Sequence, residues 1–222
     1  MKELLVNSFG GCGSKLLAKQ IIHSLDLPLP YGQYHKHERN PELIELDDIQ
    51  RKVYVYGDPL QAILSFFVRQ KVNTHLHGFN PTVQDGRLDW VNRHCRNLKG
   101  NVEGMRYEMS LVDFIENGDD FFKLEDFFNR WIKHAHTSPI LFVRYETIWD
   151  NLKGIAEQLE LPASFINNFP AKEPRSADIN VLSELQQDKL KDMLSNLISN
   201  INELPDLFLL GHKSIKPDVY AV

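Results

Sequence analysis

The sequence predicts an α/β fold, a three-layer α/β/α arrangement with a central parallel sheet and helices on both faces. Three observations predict it. A short apolar strand, Leu4 to Phe9, runs into a glycine-rich turn and then a helix. A β-branched and aromatic strand, Lys52 to Tyr56, is followed at once by a helix start. A third apolar strand, Ile140 to Arg144, leads into another helical stripe. Strands that alternate with helices in this way are joined by crossovers, and crossovers make parallel neighbours.

The elements follow in order. Gly10, Gly11 and Gly13 force a turn, because glycine admits positive φ and close backbone approach. Ser14 to Ser24 reads as a helix, with Leu17, Ile21 and Leu25 at helical spacing. Gln33 to His37 reads as a second strand. Lys52 to Tyr56 is the clearest strand of the chain. Asp58 and Pro59 suit the cap and first position of the helix that carries Ile63, Phe66, Phe67 and Arg69. A helix is expected around Trp90 to Leu98, and an amphipathic one at Leu124 to His136 with Phe127, Phe128 and Trp131. Pro139 stops it before the Ile140 strand. Thr147 to Leu159 and Leu182 to Ile201 are the last expected helices. There are no repeats, no low-complexity tract and no linker, so residues 1–222 read as one domain.

Composition excludes several classes. The net charge of −5 argues against a sequence-independent nucleic-acid binder, which would be basic. No apolar run reaches the roughly 18–20 residues needed to span a bilayer. The N-terminal residues lack the pattern of a signal peptide. Cys12 and Cys95 are too few for a disulfide framework. A cytoplasmic protein without a membrane partner is the expectation. No metal-ligand spacing stands out, since the pair His35 and His37 has no partner pair. The oligomeric state is not legible.

The chemistry concentrates in Ser8 to Lys15. A glycine turn between strand and helix is an anion cradle: backbone N–H groups and the helix dipole both favour negative charge. Ser14 adds a hydroxyl and Lys15 a point charge. The order Gly13-Ser14-Lys15 is not that of a Walker A loop. Cys12 sits where a helix N-terminus lowers a thiol pKa. A Cys-x5-Arg phosphatase loop is excluded by Ala18, and Cys12 reads best as a small residue that fits the turn. Ser65 and Arg69 share one helix face. Val143 to Ile148 and the pair Arg175 and Ser176 complete the set of motifs.

These motifs, in this order, resemble the PAPS-dependent sulfotransferase family, which has a P-loop-like fold. The resemblance spans most of the chain and marks it as a divergent member. It implies that Gly10, Gly11, Cys12, Gly13, Ser14, Lys15 and Leu16 hold the 5′ phosphosulfate end of PAPS as donor. It implies that Gly57, Ser65, Arg175 and Ser176 lie around the 3′-phosphate, with Ser65 eight residues after Gly57 as the family spacing has it. Val143, Arg144, Tyr145 and Glu146 match a further family segment. The chain departs from the pattern at three places. The family's loop lysine falls on Gly11, its 3′-phosphate arginine on Gly57 and its adenine-stacking aromatic on Leu16. Lys15, Arg69 and Arg175 are the candidate replacement cations.

The function implied is transfer of a sulfuryl group to a hydroxyl or amine of a small-molecule or glycan acceptor. In the family a histidine or carboxylate before the 3′-phosphate strand deprotonates the acceptor. Here His37, His35 and Glu38 are the candidates, His37 first. Lys36 and Lys15 would stabilise charge on the transferring group. Acceptor contacts are expected from Asn73 to Asp120. Two other functions fit the same turn. One is a P-loop nucleotide kinase or NTPase, with Asp58 placed to bind Mg²⁺. The other is a non-catalytic nucleotide-binding descendant, which the missing lysine and arginine favour.

Overall fold

The computed structural model describes residues 2–77, 90–105, 109–175 and 178–211, and of 70–77 the backbone alone. Ser176 and parts of the 73–120 segment therefore lie outside the described residues. Five strands form one sheet: β1 (Lys2–Asn7), β2 (His35–Lys36), β3 (Ile49–Tyr56), β4 (Ile140–Arg144) and β5 (Leu207–Leu210), in the order β2-β1-β3-β4-β5. The first four strands pair in parallel, with Val6 opposite His35 and Val53, and Val53 opposite Leu141. This is the strand–helix alternation read from the sequence. The fifth strand corrects it: β5 runs antiparallel to β4, with Phe208 opposite Phe142.

Helices α1 (Ser14–Ser24) and α2 (Pro59–His77) follow β1 and β3. Then come α3 (Trp90–Asn97), α4 (Leu111–Asn117), α5 (Leu124–Ala135), α6 (Leu152–Gln158), α7 (Ala163–Asn167), α8 (Glu184–Met193) and α9 (Ser195–Asn202).

Both faces of β3 are covered, since Val53, Tyr54, Val55 and Tyr56 are all buried. On one face Tyr54 meets Phe127, Phe128 and Trp131 of α5 and Phe142 of β4, with ring centroids 5.4–6.3 Å apart. Phe142 in turn stacks on Phe208 at 4.9 Å. In α5 the buried residues are Leu124, Phe127, Phe128, Trp131 and Ala135, one stripe of a 3.6-residue period. Each large side chain buried this way contributes about 1.5–3 kcal/mol over its exposed state.

Three expected elements are shorter than their sequence signals. The strand expected over Gln33 to His37 keeps only His35 and Lys36, because Tyr31–Gln33 closes a 3₁₀ turn ahead of it. The helix expected over Thr147 to Leu159 begins as a 3₁₀ segment, Tyr145–Asp150, and becomes α6 after a break at Asn151. The break has a local cause. The Asn151 side-chain amide donates to the Thr147 carbonyl at 2.9 Å, the acceptor that a continuing α-helix would use for its backbone N–H. The helix expected over Leu182 to Ile201 splits at Leu194, whose side chain is buried and whose φ of −108° leaves the helical range.

Candidate functional site

The glycine turn lies at the carboxyl end of β1, the end at which parallel sheets place their ligands. Gly10, Gly11 and Gly13 have φ of 91°, 68° and 66°. Two of them are also required by their neighbours. A Cβ on Gly11 would lie 2.7 Å from the Ala62 Cα, so the turn rests directly on α2. A Cβ on Gly13 would lie 1.9 Å from the Tyr145 ring. Gly13 precedes α1, where no side chain caps the N-terminus and no acidic residue sits in the first turn. The Gly13 carbonyl takes the Leu16 and Leu17 N–H groups at 2.9 and 3.4 Å, and a helix start with neither a side-chain cap nor an acidic residue favours an anion through its dipole.

His35, in β2, and His37, just after it, both reach the same turn by hydrogen bonds, while Lys36 and Glu38 line another surface. His35 Nε2 lies 2.9 Å from Ser14 Oγ, Ser14 Oγ 2.7 Å from Ser8 Oγ, and Ser8 Oγ 3.3 Å from His37 Nδ1. His37 Nδ1 also lies 2.8 Å from the Ser8 carbonyl oxygen. A carbonyl only accepts, so Nδ1 carries the proton and Nε2 presents a lone pair. Burial lowers the pKa of His37 against the Ser8 hydrogen bond, which raises it. Burial also pushes His35 down to about 3, and the charges of His37, Lys15 and Arg69 add to this. Both rings are neutral at pH 7, which a general base requires.

Lys36 and Glu38 line a separate hollow of about 360 Å³ with Lys2, Leu5 and Ile44. The Glu38 carboxylate pairs with Lys99 and accepts from the Asn40 N–H. Its backbone is clamped to the Asn7 side chain by bonds of 2.9 and 3.0 Å. Of the three candidate bases, the two histidines face the turn.

Lys15 is exposed, and its backbone carbonyl accepts from the Tyr31 hydroxyl at 2.6 Å. Leu16 is partly buried at the foot of α1. Cys12 is fully buried, and its thiol donates to the Val55 carbonyl at 3.2 Å. Burial pushes its pKa up to about 12, so the thiol holds its proton and is a packing residue of the turn.

Ser65 sits two turns into α2, half-buried, on the face that also bears Gln61 and Arg69. The Arg69 guanidinium lies over the Trp90 ring at 5.9 Å. Asp58 caps α2, its Oδ1 accepting from the Leu60 N–H at 2.8 Å. No His, Cys, Asp and Glu cluster of metal-binding form occurs among the described residues.

Gly57 and Arg175 meet through Glu146. A Cβ on Gly57 would lie 2.9 Å from both Glu146 carboxylate oxygens. Arg175 Nη2 donates to Glu146 Oε1 at 2.6 Å, and its guanidinium covers the Tyr145 ring at 4.4 Å. Gly57 and Arg175 thus both lie against the Glu146 carboxylate.

Two site residues escape sequence reasoning. His94 comes from α3 and stacks on Trp90 at 4.9 Å. It meets His37 edge-on at 5.6 Å, and its Nε2 is buried without a partner against Gly10. His94 lies in the Asn73 to Asp120 segment from which acceptor contacts are expected, but no local pattern singles it out, because only the fold brings α3 to the turn. Glu146 stands inside a motif that the sequence does show, but its role depends on the empty space at Gly57. No helix among the described residues is long and apolar enough to cross a membrane. Set against known families and curated proteins, the chain matches no family model and no curated sequence.

Proposed function

We propose that this chain is a sulfuryl transferase with a three-layer, P-loop-like fold. It moves the group from a nucleotide phosphosulfate, PAPS in the form that the resemblance implies, to a hydroxyl or amine of a small acceptor. One observation carries the proposal: the lone pair of His37 Nε2 and the uncapped start of α1 stand at the same turn. The turn amides hold the phosphate that departs, and His37 removes the acceptor proton. His35, linked to Ser14, and the nearby Lys15 charge orient the donor. The burial of Cys12 supports this over a covalent route through the thiol.

The non-catalytic nucleotide-binding reading is favoured by one feature, the internal pairing of Arg175 with Glu146. Thermal-shift measurements with AMP, PAP, PAPS, ATP–Mg²⁺ and GTP–Mg²⁺ come first. Stabilisation by adenosine nucleotides without Mg²⁺ supports the proposal, and a response to Mg²⁺-bound triphosphates alone replaces it with the kinase reading. Turnover of sulfur-labelled donor is then followed across phenols, sugars and amines. His37→Ala is expected to lower kcat by about 10²–10⁴-fold with donor affinity nearly unchanged. Full activity in both His37→Ala and His35→Ala would remove the base assignment.

A further inference from the structure

A cavity of about 460 Å³ adjoins the glycine turn, lined by Gln61, Tyr145, Glu146, Lys172 and Arg175 among others. Tyr145 is the shared wall, since its ring lies against Gly13. The cations of this cavity are already engaged. Arg175 donates to Glu146 Oε1 at 2.6 Å, and the Asp58 N–H, at the start of α2, donates to the same oxygen at 3.2 Å. Lys172 donates to the Glu146 backbone carbonyl at 2.7 Å and lies over Trp149 at 5.4 Å. A guanidinium and a helix N-terminal N–H are what a phosphate would use, and an internal carboxylate holds both.

The cavity wall also holds acceptors that no donor of the chain satisfies. Glu146 Oε2 and Gln61 Oε1 are both out of solvent contact and without a partner. An ionised carboxylate oxygen accepts only, and leaving such an atom unpaired is costly. A sugar hydroxyl supplies a donor. A phosphate at neutral pH supplies acceptors and a second negative charge beside the first.

We infer that this cavity takes the nucleoside half of the ligand, with a ribose hydroxyl donating to Glu146, and that Glu146 turns away a nucleotide bearing a second phosphate on its ribose. The inference rests on the glycine turn as the 5′-phosphate site. Tyr145 touches the turn at Gly13 and also lines the cavity, so a sugar attached to a 5′-phosphate at the turn has this cavity beside it. The fitting donor is then adenosine 5′-phosphosulfate, with its 3′-hydroxyl free, ahead of PAPS.

Titration calorimetry of the full chain with AMP and with adenosine 3′,5′-bisphosphate tests it, since the two differ only in the 3′-phosphate. The wild-type chain is expected to bind AMP at least about tenfold more tightly than the bisphosphate. Glu146→Gln keeps the shape, removes the charge and frees Arg175, so AMP, which loses a charged acceptor, should weaken by a few-fold, and the bisphosphate should gain at least about tenfold relative to AMP. A wild-type preference for the bisphosphate would overturn the inference and leave the proposed function standing. So would an unchanged ratio in a Glu146→Gln variant that unfolds cooperatively. Failure of both nucleotides to bind either protein would overturn the nucleotide reading itself, and the inference with it.

Discussion

Replacing His94 by Gln should flatten the acid side of the stability profile by a calculable amount. Burial pushes His94 from 6.5 down to about 3, with the charges of His37 and Arg69 adding to the shift. His35 falls from 6.5 to about 3 as well, and His37 moves in the same direction. Below pH 6.5 the unfolded chain binds a proton at each of these sites, while the folded chain refuses it. The stability they contribute is therefore present above about pH 6.5 and lost as pH falls toward 3. Each such histidine gives a slope of about 1.4 kcal/mol per pH unit inside that window. Asp120 acts in the opposite sense. Its pKa is raised by burial from 3.8 to about 6, so between those values the folded state holds a proton that the unfolded state lacks. At pH 5, His35 and His94 together lose about 2.8 kcal/mol per unit and Asp120 returns about 1.2, a net of roughly 1.6 before His37 is added. His94→Gln removes one histidine and should reduce the measured slope between pH 6 and pH 5 by about 1.2 kcal/mol per unit. Urea unfolding at closely spaced pH values reads this directly, whatever the variant does to stability at pH 7. Equal slopes in variant and wild type would refute the reasoning, and with it the neutral, buried state of His94.

Two further outcomes follow from the turn. Gly13→Ala should destabilise by about 2–5 kcal/mol, of which about 1–2 is the left-handed backbone and the rest the overlap with Tyr145. Tyr145→Ala in the same chain should leave only the backbone part, as a double-mutant cycle in urea would show. Cys12 and Cys95, both buried with pKa values pushed to about 12, should resist a thiol reagent at pH 7 in the folded protein and react on unfolding. A fast native thiol would reject the packing role given to Cys12.

The parts of the fold legible in the sequence are those where local preference and burial agree. The run Val53 to Tyr56 is β-branched and aromatic, and its place at the sheet centre buries every residue in it. Ile140 to Arg144 has the same character, and its observed bounds are those read from the sequence. Leu207–Leu210 was not legible, because a four-residue leucine-rich run after Pro205 and Asp206 has no period that separates strand from coil. The helix Leu111–Asn117 did carry a signal, the capping box of Ser110 and Asp113, in a stretch where other cues were weak. The break at Asn151 depends on one side chain competing with the backbone, which periodicity cannot register. At the site, the turn was readable from spacing, and so was the strand as far as His35 and Lys36, while His37 lies just beyond it. His94 was not, since it arrives from a distant helix.

The lengths of the strands bear on how the protein behaves at high concentration. The eight-residue β3 lies in the middle of the sheet, while the two edges are formed by β2, with two residues, and β5, with four. An edge strand offers unpaired N–H and C=O groups on which another chain can build, and the number on offer scales with its length. Here the ladder tapers to almost nothing on the side that carries His35, so a neighbouring copy finds too few groups to extend it. The same brevity leaves His35 at the edge of the sheet, with no further strand beside it among the described residues.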